Sequence, residues 1–274
     1  MTTISLDYET ASECPLPDEG LSRYARHPST RVTLCAYRID GGSGDLWDVA
    51  SGQPFPRRVA DLLSDPKVEK WAFNAAFERT VTQHVLGIDT PYEGWRCTMA
   101  LAYTQSYVGG LDDIARQMEM PAELQKDKRG KQLIRMFSMP QRPTKNQPHV
   151  WLDHRTNPVE WAEFGRYCVQ DVVAEDAVRE RLLRYPLAER EWALYELDQR
   201  VNDNGLPVDR RFVTNAIGMA RKRKAALTAE MQAITGLDNP NSGAQLLPWL
   251  KERGYPFDDL QKDTVAKALR EIGT

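Results

Sequence analysis

Cysteine is scarce: Cys14, Cys35, Cys97 and Cys168 are the four in 274 residues, and no two form a C-x-x-C pair. That scatter excludes a zinc ribbon and a disulfide framework, and a reducing, cytoplasmic setting is expected. The four histidines (His27, His84, His149, His154) include no H-E-x-x-H arrangement, which removes zinc-protease chemistry. No run approaches the roughly 20 apolar residues that span a bilayer. With Asp7 and Glu9 near its start and no basic-then-apolar leader, the chain is expected to carry no signal peptide. Repeats and low-complexity tracts are absent. No sign of charge dominates: 36 Lys and Arg face 39 Asp and Glu, a net −3, so nothing suggests blanket attraction to nucleic acid. What remains, 41% hydrophobic and 27% charged, is the composition of a soluble globular protein. The length suits one large domain, or a medium one with a smaller companion.

The first 60 residues read as β. TISLD (3–7) is a short strand, and RVTLCAYRI (31–39) with GDLWDV (44–49) forms a hairpin around a GGSG turn. PFPRRVADLLSD (54–65) reads as a helix and VEKWAF (68–73) as a strand. AAFERTVTQHVLG (75–87) repeats apolar residues at helical spacing and stops at glycine. A short strand follows around Trp95–Cys97, then helices in TMALAYTQSY and GLDDIARQM. The clearest helix is 157–184, where Asn157 can cap, Pro158 suits the first turn and Glu160 stands at the capping-box position. Strands followed by alternating strand and helix predict an α/β fold, a mixed β-sheet flanked by helices. Composition shifts near Tyr185-Pro186, and beyond it only helices are expected: 188–203, 211–235 and QLLPWLKERG. The chain thus divides into a domain over 1–185 and a small all-α region over 186–274.

Charge is uneven along the chain. Residues 126–145 hold seven Lys or Arg and one Asp, a local +6, and 221–224 read Arg-Lys-Arg-Lys. Each is a solvated stretch or a phosphate contact.

Three places carry acids where a core would prefer none. Asp7 and Glu9, two apart on a strand, project to one face. Like charges that close raise each other's pKa unless a cation intervenes, and a hard divalent ion suits carboxylate oxygens. In WAFNAAFERTV (71–81), Asn74 sits at a strand-to-helix junction with Glu78 four residues later; taken alone these are a cap and a dipole partner. In RYCVQDVV (166–173), Tyr167 and Asp171 share one helix face, and an acid near a packed face needs a partner.

Together these residues form a joint pattern: D-x-E on the first strand, N-x-x-F-E at a strand–helix junction and Y-x-x-x-D on a late helix. With it the chain resembles the proofreading 3′→5′ exonuclease domain of family A DNA polymerases, the tyrosine-containing (DEDDy) subclass of the DnaQ-like group. The resemblance implies a ribonuclease H-like mixed sheet flanked by helices. ELDQRVNDNGLPVDRRFV (196–213), NPNSGAQLLPWLKERG (239–254) and GKQLIRMFSMP (130–140) resemble phage-type enzymes, the first two at the start of their polymerase region. No palm or fingers follow, so no polymerisation is expected of the chain as given.

By this resemblance Asp7, Glu9, Glu78 and Asp171 hold two divalent ions, Mg²⁺ or Mn²⁺, and Tyr167 orients the attacking water. Thr10 and Asn74 contact the terminal nucleotide, while Phe77 and Tyr8 are candidates for stacking on its base. The family's second motif ends in Asp, and this chain departs from it at Glu78. The longer side chain displaces the carboxylate by ~1.5 Å, against a ligand tolerance of about ±0.2 Å. The implied substrate is a single-stranded or frayed DNA 3′ end, and the implied further partner is a DNA polymerase domain or subunit, with no membrane. A phage-encoded protein would work in the host cytoplasm. Two other readings stand beside it: a ribonuclease D-like RNA exonuclease, which shares the four-acid pattern, and a catalytically silent DNA-binding module marked by Glu78.

Overall fold

The computed structural model describes residues 2–121, 128–145 and 150–272. Its chain forms two compact units, Met1–Gly205 and Leu206–Thr274. The first unit opens with β1 (Thr3–Ala11), two short helices α1 (Leu16–Glu19) and α2 (Leu21–Arg26), and the hairpin β2 (Arg31–Ile39) and β3 (Asp45–Asp48). Then come α3 (Arg57–Ser64), β4 (Glu69–Ala72), α4 (Ala75–His84), β5 (Trp95–Cys97), α5 (Thr98–Thr104) and α6 (Leu111–Gln117). It closes with α7 (Lys128–Phe137), α8 (Pro158–Leu182) and α9 (Glu189–Asn204). The strands make one sheet in the order β3-β2-β1-β4-β5. β2 runs antiparallel to both β1 and β3, while β1, β4 and β5 are parallel. This is the mixed sheet flanked by helices that the sequence implies.

Strand alternation decides what each face of β1 meets. Ile4, Leu6 and Tyr8 enter a core with Val59 and Leu63 of α3 and Val81 of α4. Ser5, Asp7 and Glu9 therefore face the other side, where α8 packs on β1 and β2. Opposite Asp7 and Glu9 in β2 stand Ala36 and Leu34. These two pack with Leu133 and Phe137 of α7 and with Phe164, Cys168 and Val172 of α8. β1 continues four residues past its expected end at 7, so both acids lie inside the strand rather than at a solvent-facing tip. After Glu9 the register with β2 shifts, with Glu9 opposite Leu34 and Thr10 opposite Val32. Thr33 is left over, and its hydroxyl donates to the Glu9 main-chain oxygen at 3.0 Å. A bulge of this kind bends and twists the strand locally and re-aims the neighbouring side chains.

Helices α1, α2 and α7 were not expected from the sequence. Of the basic stretch 126–145, residues 126 and 127 lie outside the described residues. Residues 128–137 form α7 rather than a solvated loop, because Leu133 and Phe137, four apart, are each 1% exposed against α8. α9 also belongs to the first unit, so that unit ends at Gly205 where the composition shift suggests 185. Packing accounts for the difference. Trp192 meets Trp71 edge-on, with ring centroids 5.6 Å apart. Asp203 binds the buried Arg79 at 2.9 Å and Glu196 binds Arg96 at 3.0 Å.

The second unit is all-α, as expected: α10 (Arg210–Thr235), α11 (Gly243–Lys251) and α12 (Lys262–Ile272). Asp209 caps α10 by accepting from the Phe212 N–H at 2.9 Å, and Gly236 ends it in the left-handed region. Among the described residues, no helix is long and apolar enough to cross a membrane.

Candidate active site

β1 supplies Asp7 and Glu9, the first turn of α4 supplies Glu78, and α8 supplies Tyr167, Cys168 and Asp171. Parallel β1 and β4 end here and α4 begins directly after β4, the place where open α/β sheets collect their ligands. One ligand atom each from Asp7, Glu9 and Cys168 lie within 4.8 Å of one another. The Cys168 thiol donates to the Asp7 carboxylate and to its main-chain oxygen, both at 3.8 Å. Burial, then the negative charges of Asp7 and Glu9, hold that thiol well above its ordinary pKa and so keep its proton.

Glu78 is 4% exposed, and its Oε2 finds no hydrogen-bond partner among the described residues. Burial, followed by the charge on Asp7, pushes the Glu78 carboxyl well above the usual range. A buried acid beside another acid either keeps its proton or shares a cation. Asp171 is buried on α8, and Tyr167, four residues earlier, is half-buried on the same side. One turn further, Glu175 accepts from the Thr98 hydroxyl. Its carboxyl is pushed up to about 8, first by burial and against the opposing pull of Arg179. Next to it, Asp176 accepts from Ser5 at 2.5 Å, Arg38 at 2.6 Å and Arg179 at 2.7 Å. This ionic network ties α8 to β1 and β2 directly behind the acids.

The donor set fits hard divalent cations. Asp7, Glu9, Glu78 and Asp171 offer carboxylate oxygens, the ligands such ions prefer, and Glu78 Oε2 is a buried acceptor that a cation would satisfy. The sulfur of Cys168 is the one soft donor in the group.

Beside Glu9 opens a cavity of about 510 Å³, lined among others by Thr10, Tyr24, Phe77, Ile134, Ser138 and Met139. That volume lies within the usual range for small-molecule pockets. The hydroxyls of Thr10 and Tyr24 are 2.7 Å apart, and the rings of Tyr24 and Phe77 are 6.2 Å apart between centroids. Of the residues singled out in the sequence, Tyr8, Thr10 and Phe77 thus line the cavity with Glu9. Asn74 does not line this cavity; it is exposed, and its side chain makes no cap bond to α4. Tyr8 keeps its ring in the core, its hydroxyl 3.0 Å from that of Thr82.

Three contributors escaped the sequence reading. Cys168 follows Tyr167 directly, so its place inside Y-x-x-x-D was a usable signal. Tyr24 sits on a six-residue helix without a pattern of its own. Ile134 belongs to α7, whose basic composition hides its apolar face.

A DNA polymerase of Bacillus phage SP02 is 39% identical to the chain over 271 residues, which is 98% of this chain and 41% of that polymerase. The chain therefore spans about two-fifths of that relative's length. No protein-family model matches. Among solved structures, a nuclease in its apo form gives a TM-score of 0.48 at 20% identity, covering 74% of this chain and 85% of its own. Ribonuclease D of Escherichia coli, an exoribonuclease involved in structured RNA processing, gives 0.43 at 18% identity, covering 73% and 45%. Across nearly its whole length the chain is similar in sequence to part of a phage DNA polymerase.

Proposed function

We propose that the chain is a metal-dependent 3′→5′ exonuclease. It removes nucleoside monophosphates from single-stranded or frayed DNA 3′ ends, as a proofreading activity beside a phage polymerase in the host cytoplasm. One observation carries the reading. Asp7 and Glu9 share one face of β1, Glu78 feels the charge of Asp7 while its Oε2 has no hydrogen-bond partner among the described residues, and Glu9 lines a largely apolar cavity. A structural role does not call for three acids at such a spot.

Each residue has a task in this reaction. Asp7, Glu9, Asp171 and Glu78 would hold two divalent ions. When bound, such ions lower the pKa of the attacking water and neutralise charge on the scissile phosphate. Tyr167 and Glu9 hydrogen-bond that water and orient it. The rings of Phe77 and Tyr24, with the aliphatic wall from Ile134, take the terminal base by stacking and contact without reading its sequence. Glu78 brings a longer reach to its corner than an aspartate would, and its effect falls on ion occupancy. The all-α second unit is the beginning of a polymerase region. The polymerase relative favours DNA over RNA as the substrate.

The test uses end-labelled single-stranded oligonucleotides of matched DNA and RNA sequence, with Mg²⁺ or Mn²⁺. Wild-type protein shortens DNA from the 3′ end, and Asp7→Ala lowers the rate by more than about 100-fold, the upper cost of losing only an outer-shell partner. Digestion that survives Asp7→Ala unchanged overturns the mechanism. Faster cleavage of RNA overturns the substrate, and no digestion by either protein points to a silent binding module.

A further inference from the structure

We infer that Gly130 of α7 is a positioning residue for Tyr167, keeping clear the space that the hydroxyl end of the ring occupies. The inference rests on the proposed nuclease reading for its kinetic consequence, while its geometry stands by itself. Gly130 is buried on α7, and its φ is not among the positive values that other glycines of the chain adopt. The backbone there would accept any L-residue, and a glycine inside a helix costs about 1 kcal/mol relative to alanine. The space explains the choice. A Cβ placed on Gly130 would lie 2.1 Å from Tyr167 Cε2, 2.7 Å from Cζ and 2.8 Å from Cδ2. All three are ring atoms, and Cζ carries the hydroxyl. The ring edge of Tyr167 therefore rests directly on the α7 backbone.

Something must move if that Cβ is added, and the neighbours decide what. α7 is pinned at both ends. Arg129 forks onto Glu163, its Nε 3.1 Å from both carboxylate oxygens and its Nη2 2.9 Å from Oε2. Glu163 lies one helical turn before Tyr167. At the other end Phe137 stacks on Phe164 at 5.3 Å and meets Trp161 edge-on at 5.1 Å, and Leu133 is buried in the same cluster. Tyr167 is only half-buried and turns about its own Cα–Cβ bond. The ring yields before the helix does, carrying its hydroxyl by roughly 1 Å, a misplacement that costs an enzyme about 100-fold when the group orients a reactant.

A double-mutant cycle with a turnover-independent probe tests this on the full chain. Gly130→Ala is expected to lower kcat about 10- to 100-fold, with KM and the Mg²⁺ dependence unmoved. In a Tyr167→Phe background, which lacks the hydroxyl, the same change costs less than about 2-fold. Equal losses in both backgrounds would mean a merely structural role and overturn the inference, as would full activity of Gly130→Ala. Should Gly130→Ala fold poorly, Arg129→Gln, which loosens the start of α7, gives a smaller loss that also vanishes with Tyr167→Phe. The ¹⁹F resonance of 3-fluorotyrosine at position 167 reads ring placement without turnover. Gly130→Ala shifts it, and an unmoved signal overturns the contact whether or not the chain proves to be a nuclease.

Discussion

Two helices of nearly equal length show opposite ways of holding a helix in place. α8 has 25 residues and buries twelve of them, including the ionisable Asp171, Glu175, Asp176 and Arg179. α10 has 26 residues and buries none. On α10 the apolar side chains face outward instead: Phe212 is 69% exposed, Met219 74% and Ile234 66%. Isolated helices are marginal without tertiary packing, and α10 is supported by its Asp209 cap, its Gly236 terminus and its length. α8 keeps four ionisable groups inside a sheet-packed face, where an unpaired charge would be driven to neutralise. The contrast locates the chemistry. A buried acid persists where a partner answers it, as Arg38 and Arg179 answer Asp176.

The largest effect expected from this contrast is at Asp176. Its carboxylate answers Arg38 and Arg179 together, with 3% of its side chain exposed. Asp176→Ala takes this acid from both guanidinium groups, leaving Arg179 only Glu175 at 3.5 Å, and removing one partner of a buried pair costs about 3–5 kcal/mol. Urea unfolding measures it. A loss below about 1 kcal/mol, the median for exposed pairs, would show that the charges of α8 behave like surface charges.

Glu175 gives a smaller, pH-dependent effect. Its carboxyl is pushed up from 4.5 to about 8, so between those values the folded chain keeps a proton that the unfolded chain has lost. Stability from this group therefore falls as pH rises through that window and levels off above it. Glu175→Gln keeps the shape and removes the titration. Measured in chelator, so that no ion is bound, its stability relative to wild type should climb as pH rises from about 4.5 to about 8. A flat difference would place Glu175 in a more solvated setting than α8 provides.

Much of the first unit was legible because its local signals agree. Ile4, Leu6 and Tyr8 alternate, the β2–β3 hairpin brackets a glycine turn, and α8 carries Pro158 in its first turn. The four acids and Tyr167 could be gathered from order and residue type. What could not be read depended on contacts far apart in sequence. The sequence pattern ends the first strand at Asp7, and only the packing of α8 on β1 shows that Asp7 and Glu9 lie inside it. The basic residues of α7 concealed Leu133 and Phe137. The unit's end at Gly205 depends on Asp203 reaching Arg79 and Glu196 reaching Arg96, separations of 124 and 100 residues. Within α11, Pro248 stands inside the helix and removes a main-chain donor, and the sequence offers no reason for it.

The smallest expected effect lies on α10. Met219 is 74% exposed on a helix without a buried residue. Lysine forms helix about as well as methionine, so Met219→Lys changes neither propensity nor a covered contact. Surface substitutions of this kind stay within about ±0.5 kcal/mol. The same urea titration that registers Asp176→Ala should find this variant unmoved, at equal slope. Should Met219→Lys instead cost more than about 1 kcal/mol, well beyond that range, its side chain would have to be covered in solution. α10 would then be packed by something, as α8 is, and the difference between the two helices would be one of partner rather than of kind.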